Sequence, residues 1–343
     1  MRRLLIRADA NPEMGTGHVM RCLALAQAWQ DTGGEASFVV AYEMPKIEPR
    51  LIAEGFSVHH ISAAPGSEED AVQTDALAVS MKACFVVVDG YHFGSQYQRL
   101  IKGSGNRLLF IDDYGHAGSY CSDLVLNQNL YATEDLYKKR EPFTQLLLGP
   151  SFVLLRREFN YWHGLSKKTP HAASKVLVTL GGSDPDNVTL KVIESLQSLA
   201  IGGIEVTAVV GGSNAHANRL EAAAKDSRIP LKLVRSATNM QELMAWADMA
   251  ISSGGTTSWE MAFMGLPALI VVLAENQAAV AEKLEHAGAA LNLGWHDELT
   301  CQKIRSAVEN LMIDSEKRES ISRRGQQLVD GFGANRVVDA IWE

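Results

Sequence analysis

Cysteines and long apolar runs are scarce in this sequence. The four cysteines are Cys22, Cys84, Cys121 and Cys301. They lie far apart and form no C-x-x-C pair, so the sequence predicts neither a disulfide framework nor a zinc ribbon, and a reducing cytoplasm fits. The basic N-terminus has an apolar run that Arg7 and Asp9 interrupt, which makes it too short for a signal peptide or a membrane span. We therefore expect a cytoplasmic protein without a membrane partner.

Positive charge is also scarce. The chain has 32 lysines and arginines against 40 aspartates and glutamates, a formal net charge of -8. Because affinity for a phosphate backbone comes mainly from clustered cations, we expect no nucleic-acid partner, and any anionic ligand must be held locally. The 343 residues, 46% hydrophobic and 21% charged, provide enough material for two soluble globular domains.

The sequence does contain a regular alternation of short apolar runs and amphipathic stretches, which is typical of parallel sheets covered by helices. The predicted strands are 4–9, 36–41, 57–61, 84–89, 107–112 and 124–127 in the first half and 175–180, 205–210, 231–235, 249–252 and 268–272 in the second. The first predicted helix, 19–31, has an apolar face that includes Leu23 and Ala24. The pattern therefore predicts an α/β fold.

A polar, aromatic and basic stretch, 156–174, interrupts this alternation and predicts a linker. It separates a first domain, 1–155, from a second domain, 175–343. Two consecutive doubly wound halves predict two Rossmann-like domains that face each other across a cleft. The last amphipathic segment, 335–342, could pack on the first domain, but its spacing alone does not decide between the two domains.

Glycine-rich loops follow several predicted strands, at the carboxyl ends where α/β sheets bind ligands. In the first loop, Gly15 and Gly17 allow a ligand to approach the backbone, and the following helix presents free N–H groups to an anion. The loop is not a dinucleotide fingerprint, because Met20 replaces the third glycine of G-x-G-x-x-G. His18 is a candidate general base, since imidazole titrates near neutral pH. A histidine that merely caps the helix is an equally good interpretation.

Two further loops predict a cradle for a diphosphate in the second half of the chain. One is Gly181-Gly182-Ser183-Asp184-Pro185, and the other is Ser252-Ser253-Gly254-Gly255-Thr256-Thr257. Backbone N–H groups in such neutral loops bind phosphate without lysines, which agrees with the acidity of the chain. In the first of them, Asp184 also fits a helix N-cap and Pro185 the first helical position.

Polar side chains near these loops are candidates for binding the rest of a ligand that contains a diphosphate. Glu260 lies one helical turn after Thr256, where a carboxylate can accept hydrogen bonds from a ribose diol, although the helix dipole alone also favours an acidic residue there. Asn276 and Gln277 follow another buried strand, where they also fit an ordinary helix cap.

Three polar clusters follow predicted strands of the first domain. They are Asp89-Gly90-Tyr91-His92, Asp112-Asp113-Tyr114 and Asn127-Gln128-Asn129. Substrate-reading groups belong at such positions, but for each residue taken singly a role in forming a turn also explains its presence. Adjacent strand residues such as Asp112 and Asp113 point in opposite directions, so they are poor joint ligands of one ion. Without an H-x-H, H-E-x-x-H or G-x-S-x-G motif, we expect neither a metal site nor a serine hydrolase.

Taken together and in order, these motifs resemble a known family. They are Gly15-Thr16-Gly17-His18 with Arg21-Cys22, Leu148-Gly149-Pro150 with Leu154-Leu155-Arg156, Gly181-Gly182-Ser183-Asp184-Pro185, and Gly254-Gly255-Thr256-Thr257 through Glu260 to Ala274-Glu275-Asn276-Gln277. The set is similar to that of the UDP-2,4-diacetamido-2,4,6-trideoxy-β-L-altropyranose hydrolases of pseudaminic acid biosynthesis. The resemblance runs from about Arg2 to Gln277, and the stretch from Glu134 to Phe143 has no matching motif.

The resemblance implies the GT-B fold and a set of site residues. It makes His18 the general base and Tyr91 a nearby active-site group. The expected substrate-binding residues are Gly15, Gly17, Arg21, Asp113, Asn127, Asn276 and Gln277. The expected nucleotide-binding residues are Gly181, Gly182, Ser183, Gly254, Gly255, Thr256, Thr257 and Glu260.

The expected reaction is attack of water at the anomeric carbon of a UDP-sugar, which inverts that carbon and yields UDP and the free sugar. We expect no cofactor, no metal and a monomer whose partner is the UDP-sugar substrate. Two alternatives remain at this point: a GT-B glycosyltransferase that uses a UDP-amino sugar donor, and a non-catalytic subunit that binds a nucleotide sugar. Release of UDP without an acceptor distinguishes the three.

Overall fold

The chain folds into two compact units. A computed structural model describes residues 2–11, 14–165, 167–199, 202–212 and 214–343. Unit 1 comprises Met1–Arg157 and Gly331–Glu343, and unit 2 comprises Glu158–Asp330. The division therefore falls inside the segment 156–174, whose first part forms the 3-10 helix Arg157–Trp162.

Unit 1 is built on a seven-stranded parallel sheet in the order β3-β2-β1-β4-β5-β6-β7. Its strands are β1 Arg3–Ala8, β2 Glu35–Val40, β3 Ser57–His60, β4 Phe85–Asp89, β5 Leu108–Ile111, β6 Leu124–Asn127 and β7 Gln145–Leu148. Its first helices are α1 Gly17–Asp31, α2 Glu48–Ala53, α3 Glu68–Met81 and α4 Ser95–Gly103. Helices cover both faces, so β4 is buried throughout and apolar up to its last residue, Asp89.

Unit 2 repeats this plan with a six-stranded parallel sheet in the order β10-β9-β8-β11-β12-β13. Its strands are β8 Lys175–Thr179, β9 Glu205–Val210, β10 Leu231–Arg235, β11 Met249–Ser253, β12 Ala268–Val272 and β13 Leu291–Trp295. Its helices are α5 Val188–Gln197, α6 Ala217–Lys225, α7 Met240–Trp246, α8 Thr257–Met264, α9 Glu275–His286, α10 Cys301–Ile313 and α11 Ser315–Leu328.

The last helix, α12 Gly333–Trp342, is part of unit 1. It packs on α1, where the indole ring of Trp342 stacks on that of Trp29 with ring centroids 4.9 Å apart. Gly333 allows the close approach of this helix, because a Cβ there would lie 2.2 Å from the carbonyl oxygen of Val153. The C-terminal residues thus complete the apolar layer on one face of the first sheet.

The strand order locates the ligand-binding edge of each unit. In unit 1 the order reverses between β1 and β4, and in unit 2 between β8 and β11. The helices that follow the two central strands leave on opposite faces of the sheet, which opens a crevice beyond their carboxyl ends. In the part of the chain that the structure describes, no helix is both long and apolar enough to cross a membrane.

Candidate functional site

The loop between β1 and α1 is a tight turn that places a histidine beside the first crevice. The carbonyl oxygen of Asn11 accepts the N–H of Gly15 at 2.8 Å, and its side-chain Oδ1 accepts the N–H of Met14 at 2.7 Å. Gly15 has φ +77°, a left-handed conformation that glycine adopts without strain. Helix α1 then begins at Gly17, so His18 lies in its first turn.

His18 is paired with the aspartate that ends β4. Its Nδ1 lies 2.7 Å from Oδ1 of Asp89, and both side chains are buried. Burial raises the pKa of the Asp89 carboxyl, but Arg21 and His18 outweigh this effect and hold the pKa well below its usual range. An ionised carboxylate only accepts hydrogen bonds, so the 2.7 Å contact places a proton on Nδ1, and a ring with a single proton then has its lone pair on Nε2. Nη2 of Arg21 also lies 3.2 Å from Nδ1, but its two protons are directed at Asp89 and Asp113.

The interpretation of His18 as a helix cap is wrong. The N-cap residue of α1 is Thr16, and His18 lies two residues further along the helix. The ring nitrogen that a capping role would use is instead directed at Asp89. The pairing leaves Nε2 as the nitrogen that can take a proton from a bound molecule.

Arg21 connects this pair to a second carboxylate. It lies one helical turn after His18, and its Nε and Nη2 each donate to Asp89 at 2.7 Å. Its Nη1 and Nη2 donate to Asp113 at 2.7 and 3.1 Å. Burial lowers the pKa of Arg21, but Asp113 and Asp89 outweigh it and raise the pKa well above its ordinary value. The guanidinium is therefore a buried cation held between two anions.

Asp113 also binds the side chain of Tyr91. The Tyr91 hydroxyl donates to Oδ2 of Asp113 at 2.8 Å, and the ring of Tyr91 meets that of His18 edge-on with centroids 4.7 Å apart. Asn127, at the end of β6, donates through Nδ2 to the backbone oxygen of Asp113 at 2.8 Å. The structure thus brings together six side chains from the start of α1 and from the carboxyl ends of β4, β5 and β6: His18, Arg21, Asp89, Tyr91, Asp113 and Asn127.

Asp112 faces a different set of partners from its neighbour Asp113. Its Oδ2 accepts the hydroxyl of Tyr120 at 2.6 Å, and its Oδ1 accepts backbone N–H groups of the following turn. Burial raises the pKa of Asp112, but His116, whose Nδ1 lies 3.3 Å from Oδ2, and the hydrogen bonds to the carboxylate outweigh this effect and lower the pKa. Among the residues described, no group of three or more histidine, cysteine, aspartate or glutamate side chains is arranged to hold a metal ion.

In unit 2, the loops after β8 and β11 meet at their carboxyl ends. A Cβ built on Gly181 and one built on Gly255 would each lie 3.9 Å from Oγ of Ser253. Gly181 itself has φ +88°. Gly254 is needed for packing, because a Cβ there would lie 2.8 Å from the carbonyl oxygen of Gln277. The predicted nucleotide loops are therefore neighbours, and they lie beside the start of α9.

The expectation that Asp184 is an N-cap followed by Pro185 in the helix is wrong. Helix α5 begins at Val188 with Asn187 as its N-cap residue. Asp184 has φ +43°, and its two carboxylate oxygens accept the N–H groups of Val188 and Thr189 at 2.8 and 3.0 Å. The carboxylate thus binds the free N–H groups at the start of α5 although Asp184 lies four residues before the helix. Ser183 and Pro185 therefore lie in a longer turn than predicted.

The remaining candidates lie in first helical turns. Glu260 is half-buried in the first turn of α8, which begins just after Thr256. Asn276 and Gln277 are in the first turn of α9, where Oε1 of Gln277 accepts the N–H of Leu273 at 3.1 Å. This contact joins Gln277 to the turn that precedes α9, and the N-cap residue of α9, Ala274, makes no side-chain capping hydrogen bond.

Sequence reasoning included Asp89 in a polar cluster but gave it no role. Its partner His18 is 71 residues away, so the pairing depends on β1 and β4 lying side by side. A usable signal was present, because doubly wound sheets bind ligands where the strand order reverses, and in unit 1 the reversal lies between β1 and β4.

Comparison with known proteins agrees with the two-sheet architecture. Residues 176–332 match the glycosyltransferase family 28 C-terminal domain. The chain is similar over its whole length to MurG from Acinetobacter baumannii (TM-score 0.68, 16% identity, 100% of this chain and 99% of that one). It is also similar to MnaA of S. aureus in complex with UDP (TM-score 0.67, 12% identity, 99% and 96% of the two chains). The fold is that of the GT-B enzymes.

Relatives in sequence share about a quarter of their aligned residues with this chain. An uncharacterised protein of Methanocaldococcus jannaschii is 27% identical over 80% of this chain, which spans only 56% of that relative. The spore coat polysaccharide biosynthesis protein SpsG of Bacillus subtilis is 25% identical over 97% of this chain and 95% of its own length. The UDP-2,4-diacetamido-2,4,6-trideoxy-beta-L-altropyranose hydrolase of Campylobacter jejuni is 24% identical over 83% of this chain and 97% of its own.

Proposed function

We propose that this protein hydrolyses a UDP-activated 2,4-diacetamido-2,4,6-trideoxy sugar to UDP and the free sugar, as a step of pseudaminic acid biosynthesis. The observation that carries the proposal is the His18 and Asp89 pair at the strand reversal of unit 1, which leaves Nε2 of the imidazole as a proton acceptor. The named activity of the C. jejuni relative supports the choice of sugar.

In this proposal, His18 is the general base. Its Nε2 takes one proton from a water molecule while the water oxygen bonds to the anomeric carbon. The bond from that carbon to the diphosphate breaks, and its electron pair leaves with UDP. Asp89 stabilises the imidazolium that forms, because its carboxylate lies 2.7 Å from Nδ1. A single displacement of this kind inverts the anomeric carbon.

Unit 2 binds the nucleotide in the same proposal. The loops after β8 and β11 are close to each other at Ser253, and α8 begins at the end of the second loop. Backbone N–H groups of Gly182, Gly255 and Thr257 then hold the diphosphate and stabilise it as a leaving group. Glu260, in the first turn of α8, accepts hydrogen bonds from the ribose hydroxyls. We propose that no metal takes part.

The rival reaction is transfer of the sugar to an acceptor hydroxyl, which the same base would deprotonate. The family 28 domain of unit 2 is the observation that favours it. Incubation of the purified chain with a UDP-diacetamido sugar and no acceptor separates these functions. We expect stoichiometric UDP and free sugar, detected by mass spectrometry. UDP release only after an acceptor is added would favour a transferase, and no release would favour a non-catalytic binding protein.

A further inference from the structure

Asp113 has a complete set of hydrogen-bond donors from within unit 1. Its Oδ1 accepts Arg21 Nη1 at 2.7 Å and Asn129 Nδ2 at 3.0 Å. Its Oδ2 accepts the Tyr91 hydroxyl at 2.8 Å and Arg21 Nη2 at 3.1 Å. A carboxylate has about four acceptor positions, two on each oxygen, and these donors occupy them. With 8% of the residue exposed and its acceptor positions occupied, Asp113 is poorly suited to the substrate-binding role predicted from the sequence.

The ionisation of Asp113 decides which way the Tyr91 hydroxyl points. Burial raises the pKa of Asp113, but the charge and hydrogen bonds of Arg21 outweigh it and lower the pKa. An ionised carboxylate has no proton to donate, so the single hydroxyl proton of Tyr91 is directed at Oδ2. Toward any other group, the Tyr91 oxygen is therefore an acceptor.

The same reasoning makes His18 an acceptor at Nε2, because Asp89 holds the proton on Nδ1. Arg21 donates to both aspartates, so one buried cation fixes the polarity of both side chains. The rings of His18 and Tyr91 meet at 85° with centroids 4.7 Å apart. The two side chains therefore offer two acceptor atoms, Nε2 of His18 and the hydroxyl oxygen of Tyr91. A water molecule, which has two O–H donors, can bind to both.

We propose that Asp113 is a positioning residue that sets Tyr91 as a hydrogen-bond acceptor for the attacking water. This inference rests on the proposed hydrolysis. One O–H of the water points to Nε2 of His18, which takes that proton as the oxygen bonds to the anomeric carbon. The other O–H points to Tyr91 and remains on the new anomeric hydroxyl, while the bond to the diphosphate breaks and UDP leaves with its electron pair. Tyr91 orients the water and exchanges no proton.

A double-mutant cycle tests whether Asp113 acts through Tyr91. Tyr91→Phe removes the acceptor, and we expect kcat to fall about 10- to 100-fold, the size of one hydrogen bond in a charged environment, with little change in KM. Asp113→Asn replaces one of the two acceptor oxygens by an amide donor and removes the charge that holds the hydroxyl proton of Tyr91 toward residue 113, so we expect kcat to fall at least as much. In the double variant we expect no loss beyond that of Asp113→Asn, since Tyr91 is already misdirected.

The control is a second tyrosine that donates to an aspartate on the same loop. Tyr120 donates to Asp112 at 2.6 Å. Tyr120→Phe removes a comparable buried hydrogen bond, so it lowers stability but leaves kcat unchanged below the unfolding transition. Losses of Tyr91→Phe and Asp113→Asn that multiply in the double variant would overturn the proposal, because Asp113 would then act independently of Tyr91.

Raman spectroscopy tests the direction of the Tyr91 hydrogen bond without a kinetic measurement. It also does not require that the Asp113→Asn variant folds. The difference ultraviolet resonance Raman spectrum between the parent and Tyr91→Phe isolates the Tyr91 doublet, whose intensity ratio distinguishes a phenol that donates to an anion from one that accepts. We expect a strong donor in the parent. A ratio typical of an acceptor-only phenol would overturn the inference, whereas a parent chain that shows the donor ratio but releases no UDP would contradict the proposed function alone.

Discussion

Nδ1 of His18 lies 2.7 Å from Oδ1 of Asp89, and the two residues are 71 positions apart in the sequence. The contact exists because β1 and β4 are hydrogen-bonded neighbours, with Ala8 beside Asp89 in register. The two residues are therefore close because of the strand order of the sheet. The position of the proton on the imidazole follows from this contact, and several experiments can test it.

Replacement of His18 by asparagine removes the proposed base. We expect kcat to fall by about 10² to 10⁴, the range for a lost general base, with UDP affinity nearly unchanged. The control is His286→Asn, at the exposed end of α9, which should keep full activity. Retention of most activity by His18→Asn would contradict the assignment, and loss of UDP binding would indicate a structural role.

Replacement of Asp89 by asparagine tests the tautomer directly. An amide can donate to Nδ1, so the imidazole proton moves to Nε2 and the base is lost although the ring remains. We expect a fall in kcat of about 10² to 10⁴. Nitrogen NMR of labelled histidine should show the proton on Nδ1 in the parent and on Nε2 in the variant. The same tautomer in both proteins would refute this explanation.

The carboxylate of Glu260 is proposed to accept hydrogen bonds from the ribose hydroxyls of UDP. Glu260→Ala should weaken UDP binding in calorimetry by about 1.5 to 3 kcal/mol, the range for hydrogen bonds to a charged group. Glu242→Ala is the matched control, because Glu242 is also an acidic residue in the first turn of a unit 2 helix. If the Glu260 variant discriminates against a UDP analogue without ribose hydroxyls as strongly as the parent, the carboxylate does not bind the ribose.

His92 should make the protein less stable in mild acid. Burial lowers its pKa to about 4, and this outweighs the opposing effect of Asp9. The unfolded chain binds a proton at this residue below about pH 6.5, whereas the folded chain does not until about pH 4, so stability is lost as the pH falls between these values. The loss should reach roughly 3 kcal/mol at pH 4.

Urea unfolding at a series of pH values measures that effect. In His92→Gln, the free energy of unfolding should vary less between pH 6.5 and 4 than in the parent. Carboxylates with a lowered pKa, such as Asp70 and Asp113, lose their contribution at lower pH and so fall outside this window. An unchanged pH dependence in the variant would show that His92 is not responsible.

The alternation of apolar runs was sufficient to predict two parallel sheets, but it did not predict two of the edge strands, β7 and β13. β7, Gln145–Leu148, is short and only partly buried, and β13, Leu291–Trp295, contains Asn292 and Gly294. Edge strands bury less apolar surface, so their sequences carry a weaker periodic signal. The central strands are buried on both faces and were the easiest to recognise.

Prediction of the site was limited by long-range pairing. The glycine loops and His18 follow strands directly, so local sequence places them at the sheet edge. Arg21 was assigned to substrate binding, yet the structure holds its guanidinium between Asp89 and Asp113 with 5% of the residue exposed. These contacts connect α1 with the carboxyl ends of β4 and β5. Residues so far apart in the sequence form no local motif, so the contacts could not be predicted from the sequence.

The central claim is that water attacks the anomeric carbon, and hydrolysis in water enriched in heavy oxygen tests it most directly. Attack at carbon places the label in the anomeric hydroxyl of the free sugar and leaves UDP unlabelled, and in excess chelator the same products should form at the same rate. Mass spectrometry of both products, taken before the sugar exchanges oxygen with the solvent, reads the result. Label in UMP or a sugar phosphate, or activity that chelator abolishes and magnesium restores, would contradict this account and favour attack at phosphorus by a metal-dependent pyrophosphatase.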